Sequence, residues 1–139
     1  MAIIAPVFLL ILLALIEFSM MFFATLTMQY AVREGARFAV TGQSSLDATP
    51  GQRSAAIVQN MKNNSLGFYD KLGTVISING TSYATSSSYT NGMFGKAGDT
   101  VVLQLDCDWV VATPMLAVFF TNGKYHFKVA ATMRNEAFL

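Results

Sequence analysis

Charge is scarce in this sequence. Lys, Arg, Asp and Glu make up 12% of its 139 residues, about half the ~25% of an ordinary soluble domain. Such a chain is not a disordered one, which needs high charge and low hydrophobicity. Nine basic residues against eight acidic ones leave a net charge of +1. That excludes an electrostatic nucleic-acid binder, which needs surplus Lys and Arg to neutralise phosphates. A single cysteine excludes an intrachain disulfide framework and a Cys-rich zinc site. What is abundant is apolar side chain, at 53%. The length fits one modest domain, or a smaller domain with an anchor.

The shortage of charge is uneven. Between residues 1 and 32 the one charged side chain is Glu17. Residues 2–28 read AIIAPVFLLILLALIEFSMMFFATLTM. A membrane-spanning helix needs ~20 mostly apolar residues. Residues 2–16 are too few, and extension through 18–26 encloses Glu17. The apolar content outweighs the few kcal/mol that a buried carboxylate costs. Pro6 is tolerated in a first helical turn, where its missing N–H has no partner to lose. A cleaved signal peptide would need a basic start, a shorter run and an Ala-x-Ala site, and none is seen. A buried helix of a soluble protein would need a larger domain around it. A retained anchor is expected.

Residues 29–40, QYAVREGARFAV, continue the helix with good helix formers, and Gly42 supplies a stop. The expected helix is about 40 residues and on the order of 60 Å long. Thr27, Ala31, Gly35 and Ala39 recur at every fourth position. Such a small-residue stripe lets another backbone approach closely. Its partner is either the chain's own C-terminal part or a neighbouring subunit. Glu34 and Arg37 are spaced for an i,i+3 ion pair. Glu17 raises the sharpest question, because an intramembrane ionisable group is functional by default. Either it lies shallow and reaches the membrane interface, or it pairs with a second helix or a neighbouring subunit.

The remainder is polar and mixed. After a loop at 43–49, Thr49 and Pro50 read as cap and first residue of a second helix over 50–65. Ala55, Ile57, Val58 and Met61 are expected on its apolar face. Residues 74–79 alternate as a strand and end at an Asn79-Gly80 turn. Residues 81–98, rich in Ser, Thr, Tyr, Asn and Gly, read as a loop or a pair of irregular edge strands. Residues 100–109 form the clearest strand, with Val101, Leu103, Leu105, Cys107 and Trp109 on one face. Thr113-Pro114 repeats the cap signal before a short apolar helix, and Asn122-Gly123 is a turn. Residues 124–134 alternate again, with Tyr125, Phe127, Val129 and Ala131 facing inward. On antiparallel neighbours Asp106 and Asp108 would lie across from Lys124 and Lys128.

Catalysis needs convergent groups, and few are present. His126, the only histidine, falls on the solvated face between lysines. Cys107 falls on the apolar face, where thiols are inert. A Cys–His pair is therefore not formed. Asp106 and Asp108 share a face but supply fewer oxygens than a Ca²⁺ site needs. Phosphate loops, nucleophile elbows and zinc spacings are missing from the sequence.

Three blocks carry a family resemblance. Ala5-Pro6-Val7-Phe8 opens a Leu/Ile run, Ile16-Glu17-Phe18 follows, and Ala31-Val32-Arg33-Glu34-Gly35-Ala36-Arg37-Phe38-Ala39 closes the helix. Together they resemble the TadE-like family, the minor pilin-like proteins of the tight-adherence (Flp) pilus machinery. Ser19 stands where the family has a glycine, while the Arg33-to-Arg37 core is kept. The tail Ala131-Thr132-Met133-Arg134-Asn135-Glu136 also resembles the family's ending. Between these blocks the likeness is one of architecture only.

The resemblance implies a single-pass protein of a bacterial inner membrane, its C-terminal domain extracytoplasmic. It implies a role in pilus assembly or the related secretion system, without catalysis, cofactor or metal. The implied partners are the lipid bilayer and other pilin-like or Tad-system membrane proteins. Helix packing and assembly would fall to Glu17, Thr27, Ala31, Arg33, Glu34, Gly35, Arg37 and Ala39. Such proteins are usually made with a basic leader and a prepilin-peptidase site just ahead of the Met-Ala-Ile-Ile-Ala-Pro stretch. Either the start codon is misassigned, with such a leader upstream, or the chain is trimmed, or this member is not processed; the first is expected. The leader's basic residues would offset Arg33 and Arg37, which otherwise place the C-terminal side in the cytoplasm by the positive-inside rule.

The reading is thus an α+β protein of pilin-like architecture. Residues 1–42 form the transmembrane and extended amphipathic helix. Residues 43–139 form an extracytoplasmic domain with a second helix and a small antiparallel sheet. The competing function is a membrane-tethered ligand-binding module that uses residues 81–98.

Overall fold

One helix, α1, runs from Ile4 to Val40 in the computed structural model, which describes residues 2–41, 53–84, 88–90 and 92–136. Pro6 lies in its first turn, where backbone N–H groups have no helical acceptor. Along α1 the hydroxyls of Ser19, Thr25 and Thr27 donate to the carbonyls of Leu15, Met21 and Phe23. These three hydroxyls are thereby satisfied within the helix. The expected stop at Gly42 and the cap at Thr49-Pro50 lie outside the described residues.

A second helix, α2, spans Arg53–Asn64 and buries Ser54, Ala56, Ile57, Val58 and Met61. Ala55, expected on this face, is only half-buried. It stands two positions from Ile57, on the far side of a 3.6-residue turn. A one-turn helix, α3 (Phe68–Lys71), was not foreseen. Leu66 and Gly67 both take positive φ and redirect the chain so that Phe68 and Tyr69 enter the core.

The sheet has four antiparallel strands in the order β2-β1-β3-β4, with β1 at Val75–Ile78, β2 at Thr81–Tyr83, β3 at Thr100–Val110 and β4 at Lys124–Arg134. Asn79 and Gly80, with φ of 51° and 86°, make the two-residue turn between β1 and β2. Of residues 81–98, expected as a loop or a pair of edge strands, 85–87 and 91 lie outside the described residues. The described ones supply a short edge strand, and further on Met93 and Phe94 are buried in the core. A one-turn helix, α4 (Pro114–Ala117), and a 3₁₀ turn at Thr121–Gly123 join β3 to β4.

The alternation of β3 and β4 holds residue by residue. Val101, Leu103, Leu105, Cys107 and Trp109 are buried, as are Phe127, Val129 and Met133. The outward charges pair differently from the expectation. Asp106 faces Lys128, but Asp108 faces His126, and Lys124 faces Val110. In an antiparallel ladder, two residues two apart face two residues two apart, so with Asp106 opposite Lys128 the neighbour of Asp108 is His126. His126, on the solvated face as expected, has a carboxylate partner: its Nδ1 lies 2.5 Å from Asp108 Oδ1.

The inner face of the sheet packs on α1 from Glu17 onward, with α2 and α3 closing the same core. Three ties set the direction. Ala112 N–H donates to Glu17, Gln29 donates to the Ala130 carbonyl, and Glu136 N–H donates to the Val40 carbonyl. Strand β4 thus runs parallel to α1, and the β3–β4 connection lies at the end of the domain nearest the helix N-terminus.

Candidate functional site

The helix α1 divides at Glu17. From Ala2 to Ile16 the side chains are exposed, apart from half-buried Leu10 and Ala14. From Glu17 on, a seam of Glu17, Met21, Ala24, Met28, Ala31 and Gly35 is buried. Its alternating spacing of four and three residues is that of one face of a helix laid on a partner. The outer flank stays apolar and open at Phe18, Phe22, Phe23, Leu26 and Tyr30. This helix is long and apolar enough to cross a membrane.

Glu17 heads the seam and is 8% exposed. Its Oε1 accepts the Trp109 indole N–H at 2.8 Å and the Ala112 backbone N–H at 3.1 Å. The Thr113 hydroxyl lies 3.4 Å from Oε2, longer than a good O–H···O bond. Trp109 ends the apolar face of β3, so strand alternation alone delivers its indole to the helix. The Lys71 ammonium sits 5.5 Å from the centre of the Trp109 ring, a cation–π contact. The partner of Glu17 is therefore this chain's own domain, among the described residues. The expected second helix or neighbouring subunit is not needed to satisfy it. Thr113, read as the cap of α4, makes no side-chain cap bond, and its hydroxyl turns to Glu17 instead.

The small-residue stripe is also internal. Ala31 and Ala39 are fully buried and Thr27 and Gly35 are buried. A Cβ added at Gly35 would lie 2.3 Å from Met61 Cγ and 2.8 Å from its Sδ. The glycine is what lets α2 cross so near. Arg33 and Arg37 are exposed and Glu34 is half-buried. Glu34 and Arg37 form no ion pair with each other; the ion pairs among the described residues lie elsewhere. With Phe38, Thr41 and Asn60 they line an open cleft of about 290 Å³.

Sequence reasoning missed two ties that hold the far end of α1. Arg53 donates to the Ala39 carbonyl at 2.6 Å and to the Gly95 carbonyl at 2.8 Å. A cation on the last carbonyls of a helix is favoured by the helix dipole. Buried Asn135 donates to the carbonyls of Phe94 and Lys96. A polar residue directly after a strand was the available signal for it, and none marked Arg53. Cys107 is packed in the core, and burial pushes its thiol up to about 11. It lies on the opposite face of the sheet from His126. No three His, Cys, Asp or Glu side chains converge as a metal site among the described residues.

Comparison with known proteins agrees with the N-terminal block. The family model of TadE-like proteins matches residues 1–37, the same family that this block resembles. The match covers the exposed part of α1, Glu17 and the seam through Gly35. No curated protein and no solved structure matches the chain.

Proposed function

We propose that this chain is a membrane-anchored, minor pilin-like subunit of the tight-adherence (Flp) pilus system or of the related secretion system. The observation that carries the reading is where the TadE-like match falls. It covers a helix whose first part is bare and apolar and whose second part is clamped to a small α+β domain. A bare apolar segment suits lipid. A clamped segment sets the domain at a fixed height above it. The domain is extracytoplasmic in this reading, and the work is structural. Glu17, Thr27, Ala31, Gly35 and Ala39 fix the domain on the helix. Arg33, Glu34 and Arg37, on the accessible side near its upper end, are left for partner proteins of the same system.

Deletion of the gene in its host tests the proposal. Flp pili should be lost by electron microscopy and restored by the full chain. Protease added to spheroplasts should reach the domain. Normal piliation in the deletion strain would refute the assembly role.

A further inference from the structure

The β3–β4 connection is a strongly apolar surface of the domain. From Trp109 to Gly123 the chain reads WVVATPMLAVFFTNG, with no charged residue between Asp108 and Lys124. Its large side chains do not all turn inward. Val110 and Met115 are 63% exposed, and Val118 and Phe119 are 83% exposed. Leu116, Ala117 and Phe120 on the same turn pack against the core. The exposure is thus held in place by buried neighbours. We propose that this connection is a second membrane contact, which seats Met115, Val118 and Phe119 in the lipid leaflet on the domain's side of the bilayer that α1 crosses.

Position favours lipid over a protein partner. The connection lies at the end of the domain nearest the helix N-terminus, because β4 runs parallel to α1 from this end. Ala112 and Thr113 meet the helix at Glu17, where its bare part ends. A bilayer that surrounds the helix to that level, or past it as the ~20 residues of a full span require, meets the connection as well. The apolar surface is also continuous. Phe120 and Tyr125 share a groove of about 170 Å³ with Phe18, Met21, Phe22 and Thr25 of α1. The edges are polar, as an interface needs: Thr121, Asn122 and Lys124 are exposed beside the patch. Glu17 is 8% exposed and its Oε1 accepts two N–H bonds from the domain, which lowers the cost of immersing it. An apolar turn lying in the interfacial plane binds in proportion to the area it buries there.

The inference rests on α1 spanning the membrane, and the test separates the two. Full-length chain is reconstituted in phosphatidylethanolamine/phosphatidylglycerol vesicles. An environment-sensitive fluorophore is attached at Val118→Cys, Phe119→Cys, Leu9→Cys or Ser82→Cys, one at a time. Native Cys107 is fully buried and stays unlabelled in the folded protein. Spin-labelled lipids then quench by depth. Loss of fluorescence is expected at 118 and 119 with a shallow spin label, and at 9 with a deep one. Position 82, on the edge strand, should keep its signal. No quenching at 118 and 119, with strong quenching at 9, overturns the second contact and leaves the anchor standing. No quenching at 9 overturns the anchor and the inference with it.

Discussion

Replacing Glu17 isolates the joint between anchor and domain. In Glu17→Ala the Trp109 indole N–H and the Ala112 N–H both lose their acceptor. Hydrogen bonds to a charged group contribute about 1.5–3 kcal/mol each. Part of that is offset, because the variant no longer keeps a carboxylate away from water. A net loss of about 3 kcal/mol is expected, and the two orphaned donors carry most of it. Glu17→Gln keeps an oxygen where Oε1 stands, so both donors remain paired. Neutral acceptors bind roughly half as strongly, and a loss of about 1–2 kcal/mol follows. Thr113→Val should change stability by less than about 0.5 kcal/mol, since a 3.4 Å contact is too long to contribute much. The chain carries its own reporter. Trp109 is the only tryptophan, and its indole makes the bond in question. Urea unfolding in detergent micelles, followed by Trp109 emission, reads both the local environment and the midpoint. The order of stability should be wild type, then Gln, then Ala. Equal midpoints and unchanged emission in Glu17→Ala would refute the clasp.

Three further outcomes follow from other parts of the fold. Gly35→Leu should destabilise by about 2–3 kcal/mol in the same titration, because fully buried Met61 has no room to yield; a variant as stable as wild type would show that α2 does not cross there. Stability should fall as pH rises from 9 to 11, because the Cys107 thiol titrates at 9.0 when unfolded and at about 11 when folded. The raised value stabilises the fold fully below pH ~9 and is lost through pH ~11, and Cys107→Ala should reduce that slope in a pH series of urea midpoints, leaving the share of the Tyr69 hydroxyl, whose pKa burial also raises. Leu26→Glu, on the open flank of α1, should leave unfolding midpoints unchanged and impair pilus formation; full piliation would rule this flank out as an assembly surface.

Much of the fold is legible in the sequence, and the reasons are local. Strands β3 and β4 each alternate over their length, so burial follows from the two-residue period alone. Asn79-Gly80 gives the hairpin because both positions need positive φ. Long-range polar partners are not local. Glu17 and Trp109 are 92 positions apart, and nothing in either segment names the other. Read alone, Trp109 is a core residue and Glu17 an anomaly in an apolar run. The sheet register makes them one feature. Arg53 hides for the same reason, since its acceptors lie on α1 and beyond β2. The stripe from Thr27 to Ala39 was visible as a close-packing surface. Its partner was not, because small residues announce proximity and leave identity open.

A helix that is apolar on every side cannot mark where lipid ends by hydrophobicity. Apolar side chains are content in either setting, and lipid tails offer no driving force for burying one Leu against another. The boundary must be set by groups that are not indifferent. Glu17 is one such group, because it needs donors, and the domain's base brings them. The base in turn exposes Met115, Val118 and Phe119 at the same level. In the proposed seating, the carboxylate and the apolar turn mark one level of the domain's base, one by requiring protein donors and the other by avoiding water. Above that height the outer flank of α1 remains bare. Leu26 and Tyr30 lie roughly 14 and 20 Å farther along the helix than Glu17, at 1.5 Å per residue. They are 69% and 54% exposed and stand beyond the lipid if the base rests on it. Apolar surface in that position suits contact with neighbouring helices, which the proposed pilin-like assembly would supply.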